Sequence, residues 1–372
     1  MRIERLELAL LKLPLVHFFE TSFSRVHDKT FILVRVAGDG LVGYGECVAD
    51  QDPYYSSETN DSAWHIIARF IAPRVIGHEF THPRYLVGAL AAIRGHNMAK
   101  AAVEMAAWDL YARQQGLPLW RALGGVRDRI ASGVSVGIQD SVDQLLAAVE
   151  RELAAGYRRI KIKIKQGWDV GVVEAVRRRF GPVSLMVDAN GAYRASDADH
   201  LAGLDAFALM MIEQPLDYDD ILDHATLQRR LRTPICLDES IKSVNAAREA
   251  LSLGACRIIN IKPGRMGGFT ESIRLHDLCA ASGIPVWHGG MLESGIGRAA
   301  NIHLSTLPNF TLPGDIAASK RYFSADLIDP PIEVASDGTI AVPAGPGLGV
   351  AIRQDRIDAA TVTREVFDVA HA

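Results

Sequence analysis

The chain has 372 residues, 48% of them hydrophobic and 23% charged, enough for two domains and a large buried core. Its 40 basic and 44 acidic residues leave a formal net charge of −4. With no lysine or arginine run, this argues against nucleic acid or an anionic membrane as the main partner and points to a small molecule. The opening MRIERLELALLKLP scatters charge among its apolar residues, and no uncharged stretch approaches the ~18 residues of a membrane span, so neither a signal peptide nor an anchor is expected. Cys47, Cys236, Cys256 and Cys279 lie far apart without a CxxC, which reads as buried thiols of a reducing, cytoplasmic setting.

Within residues 1–60, Phe31 to Val36, then Gly38-Asp39-Gly40, then Leu41 to Val48 predict an antiparallel hairpin. Between 98 and 112, Met98, Ala101, Ala102, Met105, Trp108 and Ala112 fall at three- and four-residue steps, predicting a helix with one apolar face. Residues 1–125 therefore read as an α+β domain. From about residue 130 short apolar strands alternate with helices, as in a parallel sheet with crossover helices. The candidates are Ser132–Ile138, Arg159–Lys165, Ser184–Asn190, Leu209–Pro215, Ile235–Ser240, Arg257–Pro263, Ile284–Gly289 and Phe310–Ile316. Between them lie helix starts such as Ser141, with Gln144 three residues on as a capping box. Eight units in roughly 190 residues predict an α/β fold, a (β/α)8 TIM-type barrel over residues 126–324. Residues 325–372, rich in Pro, Gly and Val, are expected to return to the first domain.

Three motifs resemble functional signatures without their structural context. His78-Glu79-Phe80-Thr81-His82 matches HExxH, but Gly77 precedes it and Pro83 follows, so a polar loop is expected instead of a zinc helix. Gly38 to Gly43 matches GxGxxG, but a strand follows where a phosphate-binding helix would have to start. Gly133-Val134-Ser135-Val136-Gly137 matches GxSxG, but its valines make it strand interior; Ser135 can still line a barrel mouth.

An acid recurs at three successive strand ends: Asp188 in LMVDAN, Glu213 in MMIEQP and Asp238 in ICLDES, 25 residues apart each time. That interval is one βα unit, which sets the carboxylates at one height on three neighbouring strands. Like charges so placed near a core are unfavourable unless a cation neutralises them, and an all-oxygen set suits Mg²⁺ or Mn²⁺ better than zinc. Strand two reads Arg159-Ile160-Lys161-Ile162-Lys163-Ile164-Lys165, so the isoleucines face the helices and the lysines the interior, where they must meet anions or lose their charge. Lys262 follows Asp238 by one more unit, on strand six, opposite strand two in an eight-stranded barrel.

This set suits removal of a proton α to a carboxylate, with the cation and Lys161 stabilising the enolate. Burial and the cation lower lysine pKa values, so Lys163 or Lys262 is expected to serve as a neutral base. Two opposed bases permit racemisation; alternatively Lys163 acts alone, as base and then as acid to a leaving hydroxyl, with Lys262 stabilising charge.

These residues resemble the enolase superfamily, muconate-lactonising subgroup, across nearly the whole chain. KIKIKQGWD at 161–169, IEQPL at 212–216, CLDES at 236–240, INIKPGRMGG at 259–268 and GGMLESGIGRA at 289–299 are similar to the o-succinylbenzoate synthase and N-succinylamino acid racemase family. The resemblance implies Lys163 and Lys262 as acid/base pair, Lys161 beside the substrate carboxylate, and Asp188, Glu213 and Asp238 as Mg²⁺ ligands backed by Asn190 and Glu239. It also implies a capping domain whose loops, one carrying Phe19 and Phe23 and another around Asp50, cover the barrel. Ser135, Met291 and Phe323 match pocket positions, the substrate is a small carboxylate, and a dimer or octamer is implied. Gln166 and His288 depart from the family pattern beside the site and bear on substrate preference. Rival readings are muconate cycloisomerase, dipeptide epimerase and a non-catalytic metal-stabilised binding protein. The stretch Leu312 to Ala317 has one acid, Asp315, and lacks the paired acid with which dipeptide epimerases hold an amine, which favours a succinyl-bearing substrate.

Overall fold

The computed structural model describes residues 1–369. Its N-terminal part is built on strands β1 (Arg5–Glu20), β2 (Arg25–Gly38) and β3 (Leu41–Cys47), joined antiparallel. Asp39 and Gly40, at φ 53° and 74°, form the two-residue turn between β2 and β3, so the GxGxxG stretch is a hairpin as expected. The alternation of β1 and β2 buries both faces of this sheet. Leu6, Leu8, Ile32, Val34 and Val36 pack under the cap helices, while Ala9, Leu11, Leu13, Phe31 and Leu33 join the core shared with the barrel.

Helix α1 (Asn97–Gln114) differs from the one-faced helix expected, being buried on both sides. Ala102, Ala106 and Leu110 meet the cap sheet; Ala101, Met105, Trp108 and Ala112 meet the barrel core. Its alanines permit close approach. A Cβ on Gly45 would lie 2.0 Å from the Ala102 carbonyl oxygen, and one on Gly43 2.1 Å from that of Ala106, so β3 needs glycine at both points.

The second part is a parallel sheet of seven strands in chain order: β4 (Val134–Val136), β5 (Arg159–Lys163), β6 (Ser184–Asp188), β7 (Ile212–Glu213), β8 (Ile235–Leu237), β9 (Ile258–Ile261) and β10 (Val286–His288). The expected eighth strand, Phe310–Ile316, does not form a regular strand. It still closes the barrel through bridges Val286↔Phe310 and Ser132↔Gly314, and the Asp315 N–H donates to the His288 carbonyl at 2.8 Å. Pro313 has no N–H to give, and this breaks the ladder. Helix α2 (Val142–Ala154) starts at Ser141, whose Oγ accepts from the Gln144 N–H at 3.2 Å. The HExxH stretch is irregular, with His82 capping a short 3-10 turn at Pro83.

After the barrel, Thr339–Ala341 pairs with Arg129–Ala131, and strand β11 (Thr361–Asp368) then joins the cap sheet antiparallel to β1. His303 on helix α3 (Gly295–Leu304) fastens these parts. Fully buried, it accepts the Trp120 N–H at Nδ1 (3.2 Å) and donates from Nε2 to the Leu348 carbonyl (3.0 Å). Among the described residues no helix is long and apolar enough to cross a membrane.

Gly45→Ala is expected to lower unfolding free energy by about 1–3 kcal/mol through overpacking against α1, read from urea denaturation. Burial pushes the His303 ring down to about 4. The folded state therefore binds fewer protons than the unfolded state between about pH 4 and 6.5, and its stability falls as pH drops through that window, by about 3 kcal/mol in total. His303→Leu should flatten that slope in urea titrations at stepped pH.

Candidate active site

Parallel strands bring their C-terminal ends to one rim, and the basic and acidic side chains of β5 to β9 meet there. Ile160, Ile162 and Ile164 enter the apolar core, while Lys161 and Lys163 point inward and are nearly buried, as the alternation requires. Lys161 Nζ lies 2.6 Å from Asp315, 2.9 Å from Glu213 and 3.2 Å from Asp188. Lys163 Nζ donates to Asp188 and to the Asn190 Oδ1, both at 2.6 Å. Across the sheet, Lys262 Nζ donates to Asp238 at 2.7 Å and to the Tyr55 hydroxyl at 3.0 Å. Lys163 ends β5 and Lys262 follows β9, four strands apart, which sets them on opposite sides of the mouth.

The acids are all buried; Asp188 pairs with Glu213 across β6 and β7, whereas Glu213 pairs with Cys236, so Asp238 stands two residues farther along, just past β8. Among the described residues no three His, Cys, Asp or Glu side chains form a ready metal cage. Each carboxylate is instead turned to a neighbouring donor: Asp188 to Lys161 and Lys163, Glu213 to Lys161 and Asn260, Asp238 to Lys262 and Arg265. Buried charge has to be paired, and these are the nearest partners.

The donor chemistry nonetheless fits a hard divalent cation. The ligand atoms are all oxygens, burial and then Asp188 raise the pKa of Glu213, and the buried Glu239 Oε2 has no hydrogen-bond partner. Without a cation, the same pairing governs lysine basicity. Burial lowers the Lys262 pKa, but Tyr55, Glu213 and Glu239 outweigh it and hold it above the ordinary lysine range; Asp315, Glu213 and Asp188 do the same for Lys161.

A cavity of about 160 Å³ opens between cap and barrel, with Phe19, Phe23, Asn190, Met291, Lys163 and Lys262 on its wall. A recess of about 50 Å³ adjoins it, reaching Ser135, Lys161, Asp315 and Tyr322. The Ser135 Oγ is buried there without a partner. Phe323 does not reach either space: it is 2% exposed within the core, and its neighbour Tyr322 takes the wall position. His288 also faces away, stacked on Phe310 with Nδ1 hydrogen-bonded to the Gly289 carbonyl; the inward residue of β10 is Trp287, over whose ring lies Lys161. Gln166 reaches Asp197 at the exposed outer rim. Glu239 sits behind Asn190, which donates to it at 2.8 Å.

Four participants went unassigned in the sequence. Tyr55 and Arg265 meet at Asp238, while Arg159 and Asp315 form a pair, with Arg159 1% exposed and Asp315 8%. Arg265 stands three residues after Lys262 and Arg159 opens the lysine alternation, so both had a positional signal. Tyr55, in a loop of polar residues, had none.

Residues 8–124 match the family "Mandelate racemase / muconate lactonizing enzyme, N-terminal domain", and residues 144–356 match "Enolase C-terminal domain-like". The chain belongs to the enolase superfamily. It is 53% identical to an o-succinylbenzoate synthase of Geobacillus kaustophilus, covering 98% of this chain and 97% of that one. Against an N-succinylamino acid racemase of Thermus thermophilus the identity is 50%, with 97% and 98% covered. An enolase superfamily protein from Listeria innocua of solved structure superposes with a TM-score of 0.95 at 40% identity, covering 99% of each chain.

In this enolase superfamily chain, Asp315 is the acid on the closing segment that Arg159 and Lys161 both use. Burial raises its pKa, but Arg159 and Lys161 more than reverse that and hold it well below the carboxylate range. Asp315→Asn leaves two buried cations short of a counter-charge, and is expected to cost about 3–5 kcal/mol in urea unfolding.

Proposed function

We propose that the chain removes the proton α to the carboxylate of a small, succinyl-bearing acid, as an o-succinylbenzoate synthase, an N-succinylamino acid racemase, or both. The observation that carries this reading is the entry of Lys163 and Lys262 into one cavity from opposite strands, with three buried acids between them. The relatives' activities support the substrate class.

In racemisation one lysine takes the α-proton from its face and the other returns one to the opposite face; the charge gathering on the carboxylate is met by Lys161, held cationic by its three acids. In dehydration Lys163 takes the proton and then delivers it to the leaving hydroxyl, which departs as water, while Lys262 stays cationic and balances charge. Asp188, Glu213 and Asp238 would hold a divalent cation, Mg²⁺ or Mn²⁺. When bound, it supplies Lewis-acid stabilisation of a carboxylate and occupies the acids that otherwise keep protons on the lysines. Asn190 orients Lys163 through its Oδ1. Phe19, Phe23 and Met291 supply an apolar wall that keeps water from the reacting carbon.

The occupation of Asp315 by Arg159 and Lys161 disfavours a free-amine substrate, since no acid at that strand end is left to hold an ammonium. The four cysteines are buried free thiols, which supports a reducing, cytoplasmic setting.

The decisive assay supplies Mg²⁺ and follows loss of the α-proton of an N-succinylamino acid in D₂O by NMR, alongside dehydration of 2-succinyl-6-hydroxy-2,4-cyclohexadiene-1-carboxylate. At least one substrate should react, and chelation of the cation should abolish turnover; reaction of a muconate alone contradicts the assignment. Lys163→Ala and Lys262→Ala should each reduce racemisation by about 10³-fold or more, with residual dehydration only in the second. Near-wild-type rates in both variants would exclude an acid/base role for either lysine.

A further inference from the structure

The wall of the larger cavity carries four cationic side chains: Arg25, Lys29, Lys163 and Lys262. Lys163 and Lys262 belong to the barrel rim. Arg25 is committed, donating to Glu20 and to Asp140, and its side chain is 40% exposed. Lys29 is different. Its side chain is 4% exposed, and among the described residues its one hydrogen-bond acceptor is Asp50 Oδ1 at 2.6 Å. An ammonium has three N–H donors, so Asp50 leaves capacity unused.

The placement of Lys29 is not what packing alone would select. On β2 it shares the barrel-facing side with Phe31 and Leu33, and across β1 these three oppose Leu13, Leu11 and Ala9. A buried ammonium is costly unless well paired; Glu46 and Glu293 add to the field of Asp50 at Lys29, but Asp50, which accepts its hydrogen bond, is 43% exposed and partly given over to water. Farther along this face Arg35 is paired with Glu7 and Glu46 of β3 stands opposite Leu33, whereas Lys29 is the position that overhangs the cavity.

We propose that Lys29 anchors the distal carboxylate of the substrate and thereby selects N-succinyl over N-acetyl acids; this rests on the reaction proposed for the same cavity. With the α-carbon between Lys163 and Lys262, an extended succinyl arm sets its second carboxyl carbon roughly 6 Å away, toward the cap wall. There it meets the unused N–H groups of Lys29 and competes with Asp50 for the ammonium. An acetyl group stops short of that wall and carries no charge. The preference for a second carboxylate thus comes from the cap, while the proton chemistry belongs to the barrel.

Calorimetric titration of the Mg²⁺-loaded protein with N-succinyl- and N-acetyl-phenylalanine tests this in wild type, Lys29→Met, Lys29→Gln and Asp50→Asn. Lys29→Gln keeps a hydrogen bond for Asp50 and guards against loss of folding. Both Lys29 variants should weaken N-succinyl binding about tenfold or more while shifting N-acetyl binding by less than about threefold. Asp50→Asn should keep or enlarge the preference, because it removes the competing carboxylate. Equal weakening of both ligands in the Lys29 variants overturns the proposal, as does loss of the preference in Asp50→Asn to the extent seen in Lys29→Met, which would make the pair a tether for the loop around Asp50. Exchange in D₂O, run in parallel, reads the reaction separately. No exchange with a Lys29-dependent preference refutes the reaction and keeps the anchor; exchange with an unchanged preference does the reverse.

Discussion

The site depends on the need to neutralise carboxylates that a closed parallel barrel forces together. Asp188, Glu213 and Asp238 sit at the C-terminal ends of three adjacent strands and are removed from water, so their charge has to be balanced within the protein. Lys161, Lys163, Lys262 and Arg265 do this, and the same pairing aims ammonium groups at the mouth from both sides. The acids are therefore the reason the lysines are held at the mouth, and their oxygens are the ones that would hold the divalent cation of the proposed reaction.

The cap completes this arrangement. Its sheet buries apolar side chains on both faces, one set under its own helices and one against the barrel, and α1 is buried between the two cores. Two apolar faces leave the hairpin tip little freedom to sit elsewhere, and that tip carries Phe19 and Phe23 to the cavity. Further contacts fix it at the rim: the Ile138 N–H donates to the Glu20 carbonyl at 3.0 Å, and Lys165 reaches the Glu20 carboxylate at 3.4 Å. Cap and barrel thus share one core while contributing different chemistry, an apolar cover carrying the Lys29–Asp50 pair on one side and the acid and lysine rim on the other.

Much of the rim was legible in the sequence because strand chemistry is periodic. A two-residue alternation placed Lys161 and Lys163 inside, and a 25-residue recurrence placed the acids on neighbouring strands. Contacts made by loops and by non-repeating segments left no such trace. Tyr55 reaches Asp238 from the cap across 183 positions of chain, and Arg159 finds Asp315 across 156. His288 lay next to site residues in sequence but alternates away from the mouth, since neighbours along an extended chain face opposite ways, and Phe323, just past the 3-10 turn Ser319–Arg321, enters the core while Tyr322 lines the recess. The eighth strand was placed correctly along the chain, but Pro313 reduces it to isolated bridges. The one-faced reading of α1 failed because alanine counts weakly in an apolar pattern and yet packs against both cores.

The proposed roles of Lys163 and Lys262, one on each face of the same carbon, make a stereochemical demand on the reaction. It is tested most directly by α-proton exchange of each enantiomer of an N-succinylamino acid in D₂O with Lys163→Ala and Lys262→Ala. Each variant is expected to stop exchange of one enantiomer and retain it for the other, with the pattern reversed between the two. Loss of exchange for the same enantiomer in both variants would place the lysines on one face and contradict the opposed pair.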